Sequence, residues 1–136
     1  MATVVLARID PATGGTRLAN GGHPEPVLVD ASGDTRLLRP AIVGRGVGFP
    51  DPGSPSLVDV DLVPGATLLL YTDGLVESRK DIDEGQARLL EAARTHADRP
   101  ATVLPREVVA RMHNVVVYAD DTVLLAVRRP AANTKR

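Results

Sequence analysis

The chain has 136 residues and a mass of 14.4 kDa, one domain's worth, with 43% hydrophobic and 24% charged residues, which excludes a disordered polymer. Sixteen basic against 17 acidic residues and only three aromatics (Phe49, Tyr71, Tyr118) argue against a cationic, base-stacking nucleic-acid surface. Without cysteine there is no disulfide framework, thiolate zinc site or cysteine nucleophile, and the apolar runs fall short of the roughly 20 residues of a membrane helix.

In chain order, Thr3 to Ile9 reads as a strand ending in the turn formers Asp10-Pro11-Ala12-Thr13-Gly14-Gly15, with Thr16 to Asn20 returning antiparallel. Pro26 to Asp30 and Thr35 to Leu38 flank Ala31-Ser32-Gly33-Asp34 as a second hairpin, so the first 40 residues read as a β-meander. Arg39 to Ser56 holds four prolines and four glycines, which interrupt ladders and helices alike, and reads as a long surface loop. Leu57 to Leu62 alternates with period two, a strand with one wet face. After the Val63-Pro64-Gly65 turn, Ala66 to Tyr71 is apolar almost throughout, as in a central strand covered on both faces.

Glu84 to His96 carries Leu89, Leu90, Ala92 and Ala93 on one helical stripe. Val103 to Met112 repeats the pattern, with Pro105 placed in the first turn, where its missing N–H does least harm. Thr122 to Val127 is the closing strand, and residues 130–136 form a polar tail expected to be flexible. The N-terminal Met-Ala-Thr-Val-Val lacks the charged leader of a signal peptide, so the expectation is a soluble, cytoplasmic domain.

Three places could carry chemistry. Asp73-Gly74 follows the end of the apolar strand and offers a carboxylate and a backbone oxygen, hard donors suited to Mg²⁺ or Mn²⁺; Asp-Gly is also the commonest short hairpin turn. Asp120 and Asp121 stand at the head of the last strand, where paired acids also serve as a solvated turn. If the strands beside Asp73 and Asp120 run antiparallel in one sheet, the acids share an edge, and their repulsion is relieved by a cation. Asn20-Gly21-Gly22-His23-Pro24-Glu25-Pro26 is a tight corner in which His23 is either a structural group or a ligand or acid–base group. There is no Gly-x-Ser-x-Gly elbow, P-loop or dinucleotide fingerprint.

The ordered set ATVVLARIDPATG, RLANGGHPEPVLV, LVPGATLLLYTDGLVES and ADDTVLLAVRR resembles the SpoIIE-type branch of the metal-dependent protein phosphatases (the PPM, or protein phosphatase 2C-like, superfamily) over Ala2 to Arg129. The resemblance implies an α+β fold, an α-β-β-α sandwich of mostly antiparallel sheets. It also implies hydrolysis of phosphoserine or phosphothreonine in a protein by a water activated between two Mn²⁺ or Mg²⁺ ions. In bacterial partner switching the substrate of such domains is a phosphorylated anti-anti-sigma factor. Carried onto this chain, the metal positions are Asp73, Gly74 and Asp120. Asp121, Asn20 and His23 support the ligands or face the substrate, and no catalytic residue is assigned beyond the metal ligands.

The family pattern also contains an aspartate in an early strand and an Asp-x-x-Gly-His-Gly-like segment before the first helix, and neither occurs here. The chain is therefore expected to be a partial phosphatase domain over residues 1–129, without the N-terminal strands and first helix. Its activity alone is expected to be impaired, and its exposed sheet to favour a homodimer or association with an upstream sensor segment. The competing expectation is a non-catalytic, phosphatase-like module that binds a regulatory partner or dimerises. Neither nucleic acid nor membrane is an expected partner.

Overall fold

The computed structural model describes residues 2–51, 53, 56–77, 81–113 and 121–132. Two antiparallel sheets form its centre. In one, β2 (Gly15–Gly21) pairs on one edge with β1 (Val4–Ile9), from Val4↔Gly21 to Ile9↔Thr16, and on the other with β5 (Leu57–Asp61), from Gly15↔Asp61 to Ala19↔Leu57. The other sheet consists of β3 (Val27–Val29), β4 (Thr35–Leu37), β6 (Thr67–Tyr71) and β7 (Leu124–Arg128), in the spatial order β4-β3-β6-β7.

Both predicted hairpins form, but they belong to different sheets, so the first 40 residues are not one meander. The chain crosses between sheets at residues 22–26. Gly22 has φ +72°, and Pro24 and Pro26 have no N–H to continue a ladder. In β5 the predicted alternation is present: Val58 and Val60 turn toward Leu18, Leu28, Leu38, Leu62 and Leu68 between the sheets, while Asp59 and Asp61 face water.

β6 is an interior strand buried on both faces. Leu68 enters the core between the sheets; Leu69 and Tyr71 enter a second core beneath the helices. Those helices are α1 (Ile82–Thr95) and α2 (Leu104–His113), which cover β3, β6 and β7 with Leu89, Ala92, Ala93, Leu104, Val108 and Met112. α1 starts before the first residue of its apolar stripe because the Asp81 carboxylate accepts the Asp83 N–H at 2.9 Å, an N-cap. Pro105 lies in the first turn of α2, as expected.

The described residues thus build sheet, sheet and helices, three of the four layers of an α-β-β-α sandwich. On the far side of the three-stranded sheet, Leu6 and Leu57 flank Ala19 in register and are 65% and 49% exposed. Among the described residues, no helix is long and apolar enough to cross a membrane.

Candidate metal centre at the β6–β7 rim

β6 and β7 are antiparallel neighbours, with Tyr71 opposite Leu124, so the end of one strand meets the start of the other. Thr72 extends the contact beyond the ladder. Its N–H donates to the Val123 carbonyl (3.1 Å), its hydroxyl donates to the Asp121 carbonyl (3.2 Å), and the same oxygen accepts the Val123 N–H (3.0 Å). Asp73 follows directly, exposed at this rim, and opens a 3-10 turn over Asp73–Leu75. Its carbonyl accepts the N–H groups of Val76 (3.0 Å) and Glu77 (2.8 Å).

The Asp-Gly pair is therefore not a hairpin turn. Gly74 is buried, and a Cβ there would stand 2.6 Å from the Asp121 carbonyl oxygen and 3.3 Å from Thr122 Oγ1. Glycine is needed for close approach of the two segments, not for a left-handed backbone. The structure thus brings Asp73 and Gly74 beside Asp121, which is exposed. Asp120 lies outside the described residues, as does the apolar run Val115 to Tyr118.

Asn20 and His23 sit at the same end of the molecule. The Asn20 amide closes the corner on itself: its Oδ1 accepts the His23 N–H (2.8 Å), and its Nδ2 donates to the His23 carbonyl (2.9 Å). The His23 ring is 2.7 Å through Nε2 from the Tyr71 carbonyl and 3.0 Å through Nδ1 from Thr3 Oγ1. Gln86 of α1 donates through Nε2 to Glu25 (2.8 Å) and to the Tyr71 hydroxyl (3.2 Å). Burial pushes the Tyr71 phenol up to about 12, Glu25 adds to the rise, and the Gln86 hydrogen bond and Arg39 work against it.

These groups line a cleft of about 550 Å³ that includes Asn20, His23, Glu25, Arg39, Asp73 and Gln86. A larger recess of about 690 Å³ lies on the three-stranded sheet around Arg8, Arg17 and Asp59 and contains neither rim segment. There Arg17 and Asp59 form a bidentate pair at 2.8 and 3.1 Å, which draws the Asp59 carboxyl below its ordinary value.

The sequence reading missed Thr72, Tyr71, Glu25 and Gln86. Thr72 could have been found from its place between a buried strand and an acid; the others depend on contacts between distant segments. Carboxylate oxygens on a solvent-facing rim are the donor type that Mg²⁺ and Mn²⁺ take. Among the described residues, no three histidines or carboxylates gather closely enough to hold an ion by themselves. The rim therefore fits part of a coordination shell.

Comparison with known proteins agrees with this architecture. The family described as Stage II sporulation protein E (SpoIIE) matches residues 1–130. Protein IcfG of Synechocystis sp. is 25% identical over 133 residues, covering 94% of this chain and 20% of that protein. The crystal structure of the RsbU and RsbW domains of Rv1364c from Mycobacterium tuberculosis superposes with a TM-score of 0.85 at 27% identity, over 97% of this chain and 38% of that one. The phosphatase domain of SpoIIE from Bacillus subtilis (Mn presoaked) superposes with a TM-score of 0.66 at 18% identity, over 98% of this chain and 58% of that one. The chain thus spans less than two thirds of each of these relatives. It belongs to the SpoIIE family and has the fold of PP2C-type phosphatase domains.

Proposed function

We propose that this chain is part of a metal-dependent phosphatase that removes phosphate from serine or threonine of a cytoplasmic regulatory protein of the anti-anti-sigma type. Asp73 and Asp120 supply carboxylate ligands, and Gly74 its backbone carbonyl, to Mn²⁺ or Mg²⁺. The observation that carries this reading is the pairing of Thr72 with Asp121 and Val123, together with the close approach of Gly74 to Asp121, which seats Asp73 next to the 121–123 segment. Membership of the SpoIIE family and the manganese-soaked structural relative support it.

A divalent ion bound there offsets the charge of a phosphate ester and acidifies water. The protein's own contribution is positional. Thr72 fixes the strand end, Gly74 permits close approach, and the cleft between the Asn20–Glu25 corner and α1 gives a substrate side chain access to the rim. Two carboxylates leave much of the charge of two divalent ions unbalanced, so full turnover requires further acidic ligands, and the isolated chain hydrolyses phosphoserine peptides slowly or not at all.

Calorimetric titration of Mn²⁺ into the wild type and Asp73→Asn tests the ligand assignment. The wild type is expected to take up Mn²⁺ and the variant to bind about tenfold more weakly or worse, since losing a ligand costs at least as much as losing one of its supporting partners. Equal, strong uptake by both would remove Asp73 from the site.

A further inference from the structure

We propose that His23 is a positioning residue for Asp73: its imidazole completes the hydrogen bonding of the β6 end that carries the acid. This inference rests on the reading of Asp73 as a metal ligand. β6 is held on its β7 edge as far as Tyr71 and, through Thr72, one residue further. On its other edge, pairing with β3 stops at Val27↔Leu69. Continuing that register would set Glu25 opposite Tyr71, yet the chain leaves the ladder at the Pro24-Glu25-Pro26 corner, and the Tyr71 carbonyl is met by the His23 ring instead. The His23 ring supplies a donor at this break. The Tyr71 carbonyl can only accept, so at 2.7 Å the His23 Nε2 carries the proton, and Nδ1 lies 3.0 Å from the Thr3 hydroxyl oxygen, which holds the ring from its other side.

The ring is itself held in place. Two hydrogen bonds between the Asn20 amide and the His23 backbone set the corner, and Gly21 and Gly22 lie against Arg45 and Gly46, where a Cβ would come within 2.9 and 3.0 Å of backbone. Tyr71 is gripped at both ends, its carbonyl by His23 and its hydroxyl by Gln86, which also binds Glu25 of the same corner. One corner thus fixes the residue from which the chain passes through Thr72 to Asp73, and a rigid approach keeps the carboxylate aimed without a reorganisation cost when it binds.

The test uses the full chain, labelled with nitrogen-15 and free of metal, and compares His23→Ala, His23→Gln and His23→Asn with the wild type. Glutamine places an N–H donor near the Nε2 position; asparagine is too short to reach the Tyr71 carbonyl. Hydrogen exchange is read at the Val76 and Glu77 amides, which bind the Asp73 carbonyl, and at Leu18 and Val60 in the far sheet as internal controls. Exchange at Val76 and Glu77 is expected to quicken about tenfold in the Ala and Asn variants, the loss of one hydrogen bond, and to return toward wild type with Gln, with Leu18 and Val60 unchanged. Equal exchange in all four proteins would overturn the proposal. So would a uniform rise at the control amides, or a Gln variant no better protected than Asn. Should the Ala variant fail to fold, the Gln–Asn contrast decides. Mn²⁺ titration of the same proteins with Asp73→Asn separates the two readings: an Asp73→Asn protein that binds like wild type defeats the metal assignment and leaves the exchange result standing.

Discussion

Replacing Gly74 by alanine would place a methyl carbon 2.6 Å from the Asp121 carbonyl oxygen, closer than packed atoms tolerate, so the 121–122 segment or the 3-10 turn must move. The cost is expected to be about 1–3 kcal/mol, the range for a forced overlap in a packed site, read as a lower urea midpoint at unchanged slope. An unchanged midpoint would show that the two segments part freely. The place of Asp73 directly after an apolar strand was legible in the sequence, but whether Asp73-Gly74 was a hairpin turn was not, and the 3-10 turn over Asp73–Leu75 decides that. The need for Gly74 was not legible either, because the group that forbids a side chain there is distant in the chain and only the β6–β7 pairing brings it near. His23 was legible only as one of several options, since its partners Thr3 and Tyr71 are distant from it in the chain.

At the level of elements, β6 has β3 and β7 as neighbours and reaches α1 through the Tyr71 hydroxyl and Gln86. Burial favours the neutral phenol, so Tyr71 titrates at about 12 in the folded protein against about 10 in the unfolded chain. Its contribution to stability is complete below about pH 10 and is lost as the pH rises toward 12. Tyr71→Phe is expected to remove that part of the alkaline fall in stability, followed by denaturant unfolding between pH 9 and pH 12 (the window about those two values). Identical alkaline slopes for both proteins would contradict the shift.

The strand character of β5 and β6 and the apolar stripes of both helices were legible because burial repeats with the backbone period. The pairing of β5 with β2 was not. A period-two pattern tells which face is wet, but it does not name the neighbour. Splitting the early hairpins between two sheets likewise depends on the crossing at residues 22–26, which the sequence marks only as a corner.

Across the whole molecule, the end of β7 ties the layers together. The Arg128 guanidinium binds Thr67 Oγ1 and the carbonyls of Ala97 and Arg99 on the helical side. Arg129 binds the carbonyls of Ala12, Thr13 and Leu62 on the side of the three-stranded sheet. Adjacent residues of a strand point to opposite faces, which is why two neighbouring arginines reach two different layers. The family resemblance anticipated the sandwich and its two antiparallel sheets, whereas composition and periodicity alone supplied the elements without their stacking. Within the second sheet, the pairing of β6 with β7 brings two remote segments to one rim, and the proposed function has that rim hold a divalent ion. Paramagnetic broadening of backbone amide signals by substoichiometric Mn²⁺ tests it most directly. Thr72 to Glu77 and Asp121 to Val123 are predicted to broaden together and to escape broadening in Asp73→Asn. Broadening centred on the Arg8, Arg17 and Asp59 recess, or on one rim segment without the other, would contradict the account.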